Sequence, residues 1–352
     1  MKPIISGIQQ IGIGVSDVHE AWNWYNKAFG MDIPVFEEAA TAKLMLPYTG
    51  GKPHDRHAIL AMNLRGGGGF EIWQYTSRTP VAPKFEIQLG DLGIFMAKIK
   101  TSNIKKAFTH MIDCGGTLLS EITKSLNGKQ HFYVRDPYGN HFEVVEQDDW
   151  FGGGDSVFGG CCGVVIGVSD IEKSKMYYRT LLGYDKVSGE TEVMDTEWKN
   201  MPGGEKKFKR VVLTHESSRK GPFSKLLGAS SIELIQALDY EPEKIYAKRF
   251  WGDLGYIHLC FDIQGMPEMK QLCEQFGYPF TVDSSDSFDM GAAAGHFSYI
   301  EDPDGTLIEF VETHKIPILK KIGWYLNLKD RDPEKALPTW MLKALRFSRK
   351  RV

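Results

Sequence analysis

Nowhere in the 352 residues do 18 apolar residues run together, so no stretch is long enough to cross a bilayer as a helix. The amino terminus, Met1-Lys2-Pro3-Ile4-Ile5-Ser6-Gly7, lacks a long apolar core followed by a small-residue cleavage site, and a cytoplasmic location is the expectation. Charge of one sign is also missing: 42 basic and 45 acidic residues leave a net charge of -3, which excludes a polycation built to coat nucleic acid. The five cysteines, Cys114, Cys161, Cys162, Cys260 and Cys273, show no CxxC spacing, so neither a disulfide framework nor a zinc knuckle is expected. No phosphate-loop lysine follows the Gly66-Gly67-Gly68-Gly69 run, which reads as a flexible hairpin. There is no HExxH, and no Ser or Cys acquires a nucleophilic triad. What is present is ordinary for a folded chain, with 42% hydrophobic and 25% charged residues.

The informative feature is a repeat in the order of hydrophobic periods. Gln10-Ile11-Gly12-Ile13-Gly14-Val15-Ser16-Asp17 is an extended run that ends at a capping aspartate. Ala21, Trp22, Trp24, Tyr25, Ala28 and Phe29 then recur at helical spacing, which predicts a helix over 18–29 stopped by Gly30. Gly163-Val164-Val165-Ile166-Gly167-Val168-Ser169-Asp170 repeats this opening before a helix that stops at Gly183. Two further openings start near Leu92 and Tyr256, with helices over about 103–114 and from Pro267 to Gly277. Two finishing segments share an Asp-Pro-x-Gly turn, at Asp136-Pro137-Tyr138-Gly139 and Asp302-Pro303-Asp304-Gly305. The unit is therefore a strand, a helix and about three strands, four times over, spanning 8–76, 90–147, 161–237 and 253–313. The expected fold is α+β, four βαβββ modules paired into two cupped mixed sheets. The glycine-rich segment 148–160 suggests a boundary between two domains of two modules each, 1–150 and 151–313.

These openings, turns and a glutamate near every final strand resemble the vicinal oxygen chelate superfamily, the group of glyoxalase, bleomycin-resistance proteins and extradiol dioxygenases. The resemblance covers about residues 8–313. It implies that each module pair forms a cup whose opening and closing strands can hold a divalent metal. Carried onto this chain, it places Gln10, Glu71 and Glu143 in the first cup, with the fourth position near Ile94. The second cup would hold Glu233, His258 and Glu309, with its fourth position near Gly163, and is the better candidate. An imidazole and two carboxylates suit a divalent ion (Mg, Mn, Fe, Co, Ni or Zn) with positions left open for water and substrate. Glu233 is the expected mobile acid/base, His258 and Glu309 the anchors, and Gln10, Glu71, His131 and Glu143 a secondary polar pocket. His296, just before its turn, and His215, beside the segment Glu216–Pro222, are the expected substrate contacts.

The reaction implied is that of a metal-dependent lyase, isomerase or epimerase acting through an enolate-like intermediate on a small, oxygen-rich molecule. An Fe(II)-dependent dioxygenase and a metal-free binding protein are the alternatives. The expected partners are that small molecule and, at most, a second copy of the chain; nucleic acid is not among them. Residues 314–352 differ in kind: eleven basic against three acidic residues give +8, leaving -11 for the rest of the chain. This tail is expected to dock on the acidic body, with anionic-membrane contact through Trp340–Phe347 as the weaker reading.

Overall fold

The computed structural model describes residues 2–154, 156–193, 196–285, 288–290, 293–319 and 324–350. The first module comprises β1 (Ile4–Gly14), α1 (Val18–Phe29), β2 (Ile33–Thr41), β3 (Asp55–Met62) and β4 (Gly69–Tyr75). The second comprises β5 (Gly93–Thr101), α2 (Ile104–Asp113), β6 (Thr117–Leu118), β7 (Thr123–Lys124), β8 (Gln130–Arg135) and β9 (His141–Glu146). The third has β10 (Phe158–Gly167), α3 (Ile171–Leu182), β11 (Lys186–Val193), β12 (Phe208–Thr214), a short α4 (Ser224–Leu227) and β13 (Ser231–Ala237). The fourth has β14 (Gly255–Gln264), α5 (Met266–Gln275), β15 (Val282–Asp283), β16 (Phe288–Met290), β17 (Ala293–Glu301) and β18 (Leu307–Leu319). β19 (Trp324–Asn327) and α6 (Thr339–Lys343) follow.

Local chemistry sets the helix ends. Asp17 and Asp170 accept backbone N–H groups of the first turns of α1 and α3, and both helices stop at glycines in the left-handed region, Gly30 and Gly183, with φ of 67° and 68°. Each Asp-Pro-x-Gly turn is then tied to a helix of the preceding module. Tyr25 donates its hydroxyl to Asp136 at 2.7 Å, and Tyr178 donates to Asp302 at 2.9 Å. Both aspartates also accept backbone N–H groups of their own turns, so the turn and the helix contact are fixed by one carboxylate.

The strands form two mixed sheets, but the modules pair differently from the grouping expected above. In one sheet the order β15-β17-β18-β14-β1-β4-β3-β2 joins module four to module one through antiparallel β1 and β14. In the other, β11-β12-β13-β10-β5-β9-β8-β6 joins module three to module two through β10 and β5. The boundary expected near residue 150 therefore falls between two modules of one sheet, and the crossings between sheets lie at 76–92 and 238–254. Three glycines of the apparent linker, Gly152, Gly159 and Gly160, serve close backbone approach. Gly68 and Cys161 exchange N–H···O bonds at 2.8 Å, and a Cβ on Gly160 would stand 2.3 Å from the Gly68 carbonyl oxygen. The Gly66–Gly69 run is thus one side of an inter-sheet contact, and β4 starts inside it.

One apolar core runs through both sheets and their helices, including Phe29, Phe70, Phe142, Val164, Phe261 and Phe310. The carboxy-terminal segment packs on a separate cluster, where Leu328, Leu337 and Leu342 meet Ile33, Met62 and Leu226. Arg349 pairs with Asp32 at 2.9 Å and Lys350 with Glu37 at 3.0 Å, while Trp340 and Phe347 are exposed. Among the described residues, no helix is long and apolar enough to cross a membrane.

Candidate metal centre

Because β1 pairs with β14, the donor set is drawn from the first and last modules. Gln10 on β1, Glu71 on β4, His258 on β14 and Glu309 on β18 meet on the inner face of one cup. The donor atoms of Glu71, His258 and Glu309 all lie within 4.8 Å of one another. His258 Nε2 stands 3.0 Å from Glu309 Oε2 and 3.3 Å from Glu71 Oε2. The Gln10 amide nitrogen donates to Glu71 at 3.2 Å and to Glu309 at 3.4 Å. The alternation is the one read from sequence: Glu309 faces the cup with Leu307, while Ile308 and Phe310 belong to the core behind it.

Two observations test whether these residues suit a cation. Gln10 Oε1 and His258 Nε2 are buried without a hydrogen-bond partner, although Nε2 is close to both carboxylates. Donors that crowd one point without satisfying each other are what a divalent ion would resolve. The electrostatics agree. Burial opposes a charged His258, but Glu309 and Glu71 outweigh it and hold its pKa at about 9, above the ordinary 6.5. An ion would replace that proton as the counter-charge for the two carboxylates. The centre fits a divalent metal.

The walls are aromatic. Trp251 lies parallel to the His258 ring, 6.2 Å between centroids, and meets Trp73 edge-on at 4.8 Å. On this wall, but lined by none of the four donors, is a cavity of about 440 Å³ bounded in part by Tyr48, Phe250, Trp251, Ile257 and Leu307, which is the size class of a small-molecule site.

The other cup has the same frame and, among the described residues, no such centre. Strand register sets Met96 and Gly163 where the first cup has Gln10 and His258, each two residues ahead of the position facing a glutamate. The position expected near Ile94 is therefore Met96, and Gly163 keeps its register to Glu233 but not its expected place in the cup of His258 and Glu309. Glu143 and Glu233 remain, but Lys98 lies between them, its Nζ 2.6 Å from Glu143 and 2.7 Å from Glu233. Arg210 holds Glu233 at 2.8 Å and Glu197 at 3.1 Å, and His131 bridges Glu143 at 2.8 Å to Glu197 at 3.0 Å. With His131 protonated, three cations meet three carboxylates among the described residues, and the cup is closed electrostatically by its own side chains. Burial opposes the charged forms, but the partners prevail: Lys98 and Arg210 are raised and Glu143 and Glu233 lowered.

The expected trio of Glu233, His258 and Glu309 is thus divided between the two sheets. Glu233 is a structural counter-ion to Lys98 and Arg210, which leaves it no free base function, and Glu71 takes its place beside His258 and Glu309. The secondary pocket divides too, Gln10 and Glu71 joining the candidate metal centre and His131 and Glu143 the charge network. His296 lies three residues from Tyr299, an odd step that sends it to the opposite face of β17, where it contacts Asp283 at 2.6 Å. His215 is held by Ser217 and Ser230 and packs against Tyr184, away from either cup. Lys98 and Arg210 were missed, although each lies among apolar residues of a buried strand, where a charge demands a buried partner.

The network makes stability depend on pH. Burial works against the His131 cation, but Glu143 and Glu197 outweigh it and set its pKa at about 9, above the ordinary 6.5. A folded-state pKa above the unfolded one gives stability that is complete below about 6.5 and lost as pH rises through about 9, worth up to about 3 kcal/mol. Urea unfolding at pH 6 and 9.5 should show this loss in the wild type and a smaller one in His131→Gln; equal losses would contradict it.

Residues 7–144 match the family model described as the Glyoxalase/Bleomycin resistance protein/Dioxygenase superfamily. No curated protein matches the chain by sequence. Glyoxalase I from Zea mays is similar in structure, with TM-score 0.53 and 14% identity over 87% of this chain and 92% of that one. A point mutant of the same maize protein reaches TM-score 0.56 at 14% identity over the same shares of the two chains. A Bacillus subtilis protein provisionally described as a dioxygenase also reaches 0.56, at 14% identity over 89% of this chain and 86% of its own. At that identity the likeness establishes architecture, and the chain has the fold of the glyoxalase/bleomycin-resistance/dioxygenase, or vicinal oxygen chelate, superfamily.

Proposed function

We propose that the chain is a metal-dependent lyase, isomerase or epimerase that moves a proton on a carbon next to a carbonyl in a small substrate with adjacent oxygen donors. The observation that carries this reading is the donor set of Gln10, Glu71, His258 and Glu309, one amide, one imidazole and two carboxylates converging in one cup. When bound there, a divalent cation would polarise the substrate carbonyl and stabilise enolate-like charge. The proton carrier is Glu71. Its side chain is 12% exposed against 9% for Glu309 and 0% for His258, so it is the ligand best placed to meet a substrate. Tyr299 lies 3.5 Å from His258 Nδ1 and helps to orient that ring. Trp73 and Trp251 keep water from the inner wall. An iron oxygenase centre of two imidazoles and one carboxylate is less well supported, since His258 is the one imidazole among these four residues.

The test is metal analysis of protein purified without chelator, followed by turnover of α-hydroxycarbonyl and α-dicarbonyl compounds in D₂O without oxygen. Expected are at least one divalent ion per chain, activity lost and regained with it, and deuterium entering at the carbon next to the carbonyl. Glu71→Gln should lower kcat by roughly 10²–10⁴ with little change in KM. Product formation that needs oxygen would select the oxygenase instead, and ligand binding without turnover or metal would select the binding protein.

A further inference from the structure

On the opposite face from the cup, His19, Glu37 and His57 form a second cluster of metal-ligating side chains, with donor atoms all within 4.8 Å of one another. Three elements contribute. His19 sits in the first turn of α1, its backbone N–H fixed by Asp17. Glu37 is on β2, the edge strand of its sheet, and His57 on β3, where the register sets it opposite Ala39 and hence on the same face as Glu37. His19 Nε2 lies 3.0 Å and His57 Nε2 3.8 Å from the same oxygen, Glu37 Oε1, and the two rings meet edge-on at 5.0 Å. Ligands at about 2.1 Å from a tetrahedral zinc stand roughly 3.4 Å apart, so these separations need only small side-chain adjustments.

The other carboxylate oxygen is occupied in a way that favours an ion. Lys350 pairs with Glu37 Oε2 at 3.0 Å, leaving Oε1 to face the imidazoles. The lysine is itself anchored: its backbone N–H donates to the Asp32 carbonyl, its carbonyl accepts from the Asn26 side chain, and Arg349 pairs with Asp32. A ligating carboxylate oriented by an outer hydrogen bond is the usual support of a metal site.

We propose that His19, Glu37 and His57 form a second divalent metal site, for a borderline ion such as Zn²⁺, with a fourth position open to water, that fastens α1 to the edge strand beneath the carboxy-terminal tail. Two imidazoles with one carboxylate favour Zn²⁺, Co²⁺, Ni²⁺ or Cu²⁺ over Mg²⁺ and Ca²⁺, which prefer oxygen alone. All three side chains are partly exposed, so the ion exchanges with solvent more readily than one held in the cup.

The experiment is calorimetric titration of the metal-stripped 352-residue chain with Zn²⁺, repeated with His19→Ala/His57→Ala and with His258→Ala. The wild type should take up two equivalents, the double variant should lose one of them, and His258→Ala should lose the other. If the cup holds no metal, the wild type takes one equivalent, which the double variant abolishes; that result sinks the proposed function and leaves this site standing. A double variant that binds as the wild type does overturns the site. As a check that needs no variant, Zn²⁺ added to the histidine-labelled wild type should shift imidazole resonances from at least two residues besides His258; shifts confined to His258 overturn it equally.

Discussion

Replacing Lys98 by methionine should lower folding stability by about 3–5 kcal/mol, the cost of removing one partner from a buried ion pair. The ammonium group serves two carboxylates at once, Glu143 at 2.6 Å and Glu233 at 2.7 Å, and all three side chains are almost wholly inaccessible. Methionine fills similar volume, so the loss isolates charge from packing. Arg210 and His131 remain, but each already answers to a second carboxylate, Glu197. Adding Glu143→Gln and Glu233→Gln to Lys98→Met should recover much of the loss, because neutral amides end the repulsion that the lysine had offset. Chemical denaturation of the three proteins measures both steps. A loss below about 1 kcal/mol in the single variant would show that water reaches the second cup and that the network is not closed.

The second large effect comes from a residue that donates nothing. A Cβ placed on Gly12 would stand 2.5 Å from His258 Cε1 and 2.7 Å from Nδ1, closer than real side chains approach. The ring cannot simply retreat, since Trp251 and Tyr299 pack on it and it is fully buried. Gly12→Ala should therefore displace the imidazole and weaken divalent metal binding by about 10–100-fold, with activity following, while every donor atom is retained. The overpacking itself should cost only about 1–3 kcal/mol of stability. Metal titration together with thermal unfolding separates the two effects, and wild-type affinity in Gly12→Ala would mean that His258 is not a ligand.

Sequence reading reached the modules but not their partners. Asp17 and Gly30 bracket α1 because capping and left-handed backbone are local chemistry, and the Asp-Pro-x-Gly turns are legible for the same reason. Which opening strand pairs with which leaves no trace in a period of two. β1 has one edge taken by β4, and the choice of β14 for the other depends on where the chain crosses between sheets. That single ambiguity misplaced the site: Gln10, Glu71, His258 and Glu309 were all identified as candidates, yet divided between two cups. His296 failed on parity, its odd step from Tyr299 turning it out of the cup. Lys98 was visible as a charge inside Ile94-Phe95-Met96-Ala97-Lys98-Ile99, and weighing the cost of burying it would have marked that cup as internally neutralised.

The pairing of β1 with β14 also has a meaning for synthesis. Modules two and three can complete their sheet while the carboxy-terminal quarter is still being translated, but Gln10 must wait 299 positions for Glu309. A chain broken off before that glutamate would own a finished, charge-locked cup and an incomplete donor set in the other, so the four-residue cluster of Gln10, Glu71, His258 and Glu309 exists only once translation has passed residue 309.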